Sequence, residues 1–163
     1  MRVKGQTTDL DELDWKILQA LQENARWTYT EIGRRLGVAH STVYERIKRL
    51  EQCGIIKKYM AVVDLEKADL RQVTAIMTVF TDPKESENVA AKLSEFEEVL
   101  EVFTSLSEEL SIIAKVVAED PERLHMFIAQ SVAPLEGVLR IRTSIVTRKY
   151  KEHNYIVKRG QST

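Results

Sequence analysis

An α+β chain in two parts is what this sequence predicts, on three observations. Three consecutive helical segments fill roughly residues 9–53. A strand–helix–strand pattern then occurs twice in tandem. The two parts also differ in charge. Residues 1–63 carry 11 basic and 8 acidic side chains and residues 64–163 carry 13 and 17, giving +3 and −4 in a chain whose total is −1.

Residues 1–8 (MRVKGQTT) show no periodicity and read as a loose tail. Leu13, Ile17, Leu18 and Leu21 then mark a first helix over about 9–23, with Asp9 or Asp11 as its N-cap. A second helix over 28–37 opens on a capping box, in which Thr28 accepts from the Glu31 N–H and Glu31 reaches back to Thr28. Ile32 and Leu36 lie one turn apart on its inner face, and Gly37 supplies the positive φ that ends it cheaply. The third helix, 40–53, carries Val43, Ile47 and Leu50 at i, i+4 and i+7, an apolar stripe that must face a core. Ser41, Glu45 and Lys48 face away from that stripe, flanked by Thr42, Tyr44 and Arg49. Two helices about a short Gly-containing turn make a helix-turn-helix, whose second helix fits a DNA major groove. The β-rich run 55–63 is expected to form a wing, completing a winged helix-turn-helix domain over 9–63. Between residues 26 and 58, eight basic residues stand against three acidic ones. That net +5 is the footprint a phosphate backbone requires.

The polar stretch 64–72 reads as a linker. Beyond it, VTAIMTVFTDPKESE and LSIIAKVVAEDPERL each run from strand into helix, with Asp82 and Asp120 as N-caps and a Pro at the first helical position. The two Asp-Pro pairs are 38 residues apart, and the exits EVLEVFT (98–104) and GVLRIRT (137–143) are 39 apart. Two such units in tandem give βαββαβ, a ferredoxin-like domain over 73–163 with both helices on one face of a four-stranded antiparallel sheet. Either Ile76, Thr78 and Phe80 or Ala75, Met77 and Val79 face the side away from the helices, where a second subunit is the simplest cover.

The remaining features exclude more than they propose. No run of eighteen apolar residues is present and no signal peptide is recognisable, so a membrane or secreted protein is not expected. The single Cys53 has no internal disulfide partner, which fits a reducing cytoplasm, and reads as a small buried filler. His40, His125 and His153 are scattered and none has metal-ligand spacing, and no phosphate loop or nucleophile elbow is visible. No catalytic set, metal or cofactor is therefore expected. His125, on an amphipathic helix, reads as a surface or groove residue, and packing is the reading for Trp15 and Trp27.

The run LDELDWKILQALQENARWTYTEIGRRLGVAHSTVYERIKRLEQCGIIKKYMAVVD resembles, almost without gaps, the DNA-binding domain of the Lrp/AsnC (leucine-responsive, feast/famine) transcriptional regulators. The LDxxDxxILxxLQxxAR segment and the later V-x-x-RI-x-RLExxGIIxxY segment carry the match, and the βαββαβ half is similar to the family's C-terminal RAM-type domain. The resemblance covers about residues 9–152. It implies a cytoplasmic, sequence-specific regulator that binds double-stranded DNA as a dimer or a larger assembly such as an octamer, and responds to an amino acid or related metabolite.

The resemblance, with the helix geometry above, places Ser41, Thr42, Tyr44, Glu45 and Lys48 toward base edges. Arg46, Arg49, Lys57, Lys58, Thr28 and Tyr29 are placed toward phosphates. His40, at the recognition-helix start, donates to DNA or caps the helix. The resemblance also implies an effector site between dimers, built from Ser107, Glu108, Glu109 and Ser111 with Thr143 and Ser144. Two departures stand out. Ala39–His40 occupies the place of the family's Ser-Pro helix start, and Ser107-Glu108-Glu109-Leu110-Ser111 replaces its Gly-Asp/Glu-Tyr-Asp loop. Sirohaem decarboxylase subunits resemble the same family, so an enzyme on this fold is one rival reading. A pure amino-acid sensor without a DNA role is another. The retained Lys48 and Arg49 and the basic patch weigh against the enzyme.

Overall fold

The computed structural model describes residues 9–64, 67, 68, 70, 72–106 and 110–151. The tail 1–8, part of the linker and His153 lie outside them. The chain divides between Val62 and Val63 into two compact units.

The first unit packs three helices, α1 (Glu12–Glu23), α2 (Tyr29–Leu36) and α3 (His40–Gln52). Asp11, not Asp9, caps α1, and it does so reciprocally with Asp14: each carboxylate accepts from the other's backbone N–H, at 2.9 and 3.1 Å. Thr28 and Glu31 make the expected box at α2, and Gly37 closes that helix at φ 70°. Seven side chains are buried between the helices: Ile17, Leu18, Ala20, Ile32, Val43, Ile47 and Leu50. Trp15 and Trp27 pack against them.

Two expectations fail here. Residues 55–63 form no strand. Ile55 and Ile56 pack on the helical core, while 57–63 are exposed, with the Tyr59 hydroxyl donating to Glu51 at 2.8 Å. A wing needs two paired strands, and the sequence supplies a single β-rich run at this point. Cys53 is exposed, not buried, because it follows the last turn of α3 beyond the Leu50 contact.

The second unit is the expected βαββαβ: β1 (Val73–Thr81), α4 (Ser86–Leu93), β2 (Val99–Leu106), β3 (Leu110–Ala118), α5 (Pro121–Phe127) and β4 (Val138–Ile145). The sheet order is β2-β3-β1-β4, antiparallel throughout. Ala75, Met77 and Val79 are the buried set of β1, packed with Ile112, Ala114 and Val116 of β3 under Val89, Leu93, Leu124 and Phe127 of the helices. Ile76, Thr78 and Phe80 therefore take the opposite face, with Phe103 and Ile113 beside them in register.

The two Asp-Pro sites behave differently. Asp120 caps α5 through the Arg123 N–H at 2.8 Å. Asp82 instead accepts from Lys84 N–H at 2.8 Å and organises a turn, so α4 starts only at Ser86, with Glu85 in its N-cap place. That turn is held from outside: the Asp82 N–H donates to the Gly137 carbonyl at 2.8 Å. Past Phe127, α5 widens into a π turn over Ile128–Val132, closed by Ala133 N–H to Ile128 O at 2.8 Å.

Candidate nucleic-acid interface

Helix α3 separates its side chains into three rows, as about 100° per residue requires. Val43, Ile47 and Leu50 form the buried row. On one flank lie Ser41, Tyr44, Glu45 and Lys48, all exposed. On the other lie Thr42, Arg46 and Arg49, all half-buried. The first flank is the one available to a groove, and it holds four of the five side chains expected at base edges. Thr42 is the exception: its position in the helix turns it toward the arginine flank.

The groove-facing row is ordered by aromatic contacts. The rings of Tyr29 and Tyr44 meet edge to face at 5.5 Å between centroids, and the Lys48 ammonium lies 5.8 Å from the Tyr44 ring. This joins the first residue of α2 to the middle of α3, at the strength of a surface aromatic and cation–π pair. His40 is exposed at the start of α3, where Ala39 makes no side-chain cap bond. Lys57 and Lys58 are exposed beyond the end of α3. Behind the row, the Arg35 guanidinium stacks 3.6 Å over the Trp27 ring.

Three residues expected at phosphates have other employment. Arg46 Nη1 pairs with both Asp11 and Asp14, the latter at 3.1 Å, and Arg49 Nη2 pairs with Asp14. Asp14 is fully buried, so it demands these partners. Thr28 gives both its N–H and its hydroxyl to the Glu31 carboxylate, at 2.7 and 2.9 Å, instead of keeping them for an anion. That bonding, the backbone contribution first, holds the Glu31 carboxyl below its ordinary value. Asp11 is held down to about 2, chiefly by the Asp14 N–H and then by Arg46. With two arginines compensated from α1, the +5 window presents a net of about +3 outward, and Lys48, Lys57 and Lys58 carry much of it.

Of the residues expected around an effector, the described ones do not converge within one chain. Ser107, Glu108 and Glu109 lie outside the described residues. Ser111 is buried at the start of β3, opposite Phe80. Thr143 is opposite Met77, on the helix-covered face, and Ser144 is opposite Ile76, on the open one. Three residues of register and two strand spacings put Ser111 and Thr143 about 14 Å apart. The open face also carries Arg140, stacked 3.9 Å over Phe80, with Arg142 at 5.8 Å. No pattern in the sequence announced that stack, because the pairing of β1 with β4 joins residues sixty apart.

Among the described residues no cluster of His, Cys, Asp or Glu fits a metal, and no helix is long and apolar enough to cross a membrane. Residues 10–51 match the AsnC-type helix-turn-helix domain, and residues 74–156 match the Lrp/AsnC ligand binding domain. The chain is 34% identical over 143 residues to the HTH-type transcriptional regulator Ptr1 of Methanocaldococcus jannaschii, covering 88% of this chain and 95% of that protein. It is 36% identical over 142 residues to the HTH-type transcriptional regulator LrpA of Pyrococcus horikoshii, covering 87% and 99%. A transcriptional regulator of Neisseria meningitidis, solved as a complex with L-Met, superposes with a TM-score of 0.78 at 29% identity, over 91% of this chain and 97% of that one. The chain belongs to the Lrp/AsnC family of transcriptional regulators.

Proposed function

We propose that this regulator reads double-stranded DNA with the Ser41–Tyr44–Glu45–Lys48 flank of α3, while His40, Tyr29, Lys57 and Lys58 contact the backbone on either side. The observation that carries this reading is the three-row division of α3, which leaves one polar and basic flank exposed against a fully buried apolar one. Residues 9–63 serve as the DNA-binding part and 73–163 as the assembly and effector part, in the cytoplasm. Pairing of two chains through the open sheet face, where Ile76 and Phe103 are exposed, covers its apolar side chains and links two reading helices. Half-sites about 10 bp apart, or a multiple of that, then suit a two-fold assembly.

The effector we propose is an amino acid, as in the Neisseria relative solved with L-Met. It would lie between chains, with Ser111, Glu108 and Glu109 of one and Thr143 and Ser144 of another. The carboxylates of Glu108 and Glu109 favour a ligand with a polar or basic side chain. Lys48→Ala tests the DNA reading. The fold should persist, and specific binding should weaken by about 1–3 kcal/mol with selectivity flattened at one base. Anisotropy titration on the preferred duplex measures both. Unchanged affinity in a folded variant would remove α3 from the interface. The same titration repeated with each of the twenty amino acids identifies the effector.

A further inference from the structure

The arginines of α3 are the most basic side chains of the recognition helix, yet both are turned away from the flank proposed to read DNA. Their partners come from a single feature, the start of α1. Asp11 Oδ1 accepts from the Asp14 N–H and Asp14 Oδ2 from the Asp11 N–H, so the two carboxylates are fixed by the backbone of their own helix turn. The remaining oxygens, Asp11 Oδ2 and Asp14 Oδ1, accept from Arg46 Nη1, and Asp14 Oδ2 also accepts from Arg49 Nη2. Every carboxylate oxygen of the pair is thereby used. Arg49 Nε is buried and makes no hydrogen bond, which leaves Asp14 as the anchor of that guanidinium.

The geometry of the grip matters as much as its existence. A single bond would let α3 roll about its own axis on the core. Arg46 and Arg49 are i and i+3, so they hold one flank over a full turn of helix. That flank is opposite the one bearing Tyr44 and Lys48. A roll of about 15° at a radius of about 6 Å moves those side chains by about 1.5 Å, enough to break a hydrogen bond to a base edge, whereas contacts to a uniform phosphate backbone tolerate it.

We propose that Asp14 is a positioning residue for the recognition helix: with Asp11 it holds Arg46 and Arg49 as internal struts that fix the roll of α3, so neither arginine is a phosphate contact. This rests on DNA reading by α3. It distinguishes two kinds of basic residue on one helix, those that count toward salt dependence and those that count toward selectivity.

The test uses the full chain and two duplexes of equal length, the tightest one selected from a random pool and a scrambled one, titrated across a range of KCl. For Arg46→Met and Arg49→Met, the ratio of selected to scrambled affinity should fall about tenfold. The slope of log K against log salt on the scrambled duplex should stay as in the wild type, whereas losing a true phosphate contact reduces its magnitude by about one. For Asp14→Asn, the released arginines should make that slope steeper by about one to two, with the ratio falling again. Asp14→Glu, which keeps the charge, should restore part of the ratio. A purely structural ion pair would weaken both duplexes together without a steeper slope. The struts are refuted if either arginine variant flattens the slope by about one, or if Asp14→Asn leaves slope and ratio unchanged. Should Asp14→Asn not fold, the two arginine variants decide by themselves. Lys48→Ala in the same series separates the premises: if it changes neither duplex, α3 does not read DNA and both readings fall.

Discussion

The two units of this chain solve the same problem with different means. The sheet unit buries eleven side chains in one cluster, drawn from β1, β3, the two helices and the π turn. The helical unit buries seven, and its three helices are joined in addition by carboxylate–arginine pairs between α1 and α3. A small core yields little apolar area, so interactions that a larger unit can do without become structural here. The lesson is that the basic residues of a small DNA-binding unit divide between its fold and its ligand. Counting them from the sequence overstates the charge offered to DNA.

The comparison is broken most directly by removing one core side chain from each unit. Ile47→Ala and Met77→Ala each remove a fully buried side chain and cost about 2–5 kcal/mol. In the smaller core the same loss is a larger fraction of the whole. Trp15 and Trp27 are the only tryptophans and both lie in the helical unit. Their fluorescence should therefore report a much lower denaturant midpoint for Ile47→Ala, with Met77→Ala leaving it closer to the wild type.

A smaller effect tests the ion pairs together with the capping bond that Asp14 makes. Asp14→Ala leaves Arg46 and Arg49 without their shared partner. Because both guanidiniums are partly exposed, water recovers some of the loss, and about 1–3 kcal/mol is expected. The tryptophan transition should move, and far-UV dichroism of the sheet unit should keep its midpoint.

Acid sharpens the same contrast without mutation. Asp11 is depressed from 3.8 to about 2 by the Asp14 N–H and Arg46. A depressed carboxylate stabilises the folded state fully above its unfolded value, and that contribution is lost as pH falls through the folded one. The helical unit should therefore weaken between about pH 4 and pH 2. A fluorescence-monitored acid titration checks it, and Asp11→Asn should flatten the change.

Local features of this chain were legible because they depend on residues within four positions of each other. The Thr28–Glu31 box, the Gly37 stop and the Val43–Ile47–Leu50 stripe are of this kind, and so is the alternation along β1, once the helices chose its face. What was illegible is long-range. Asp11 and Arg46 are 35 residues apart, and nothing in either neighbourhood says that they meet. The one available signal was an acidic residue, Asp14, three before Ile17 on the core side of α1. The β-rich run 55–63 forms no wing because β-propensity alone makes no strand, and the helical unit holds no second run among its described residues to pair with it. The late start of α4 has a similar cause: Asp-Pro specifies a turn, and whether a helix follows at once depends on what lies across from it. At Asp82 that is Gly137.

That last contact has a consequence for the order in which the sheet unit forms. Gly137 sits at φ 90°, and a Cβ there would lie 2.3 Å from the Glu85 Cβ, so the entry to β4 in the second strand–helix–strand half closes directly onto the β1–α4 turn of the first. The residues involved are more than fifty apart. The closure entropy must be met before the Asp82–Gly137 bond can form, which places this clasp late on the folding route. A late contact leaves the folding rate alone and governs the rate of opening. Stopped-flow measurements on Gly137→Ala should accordingly show an unchanged refolding arm and a faster unfolding arm. The clasp then sets how long an assembled sheet lasts, not how quickly it is made.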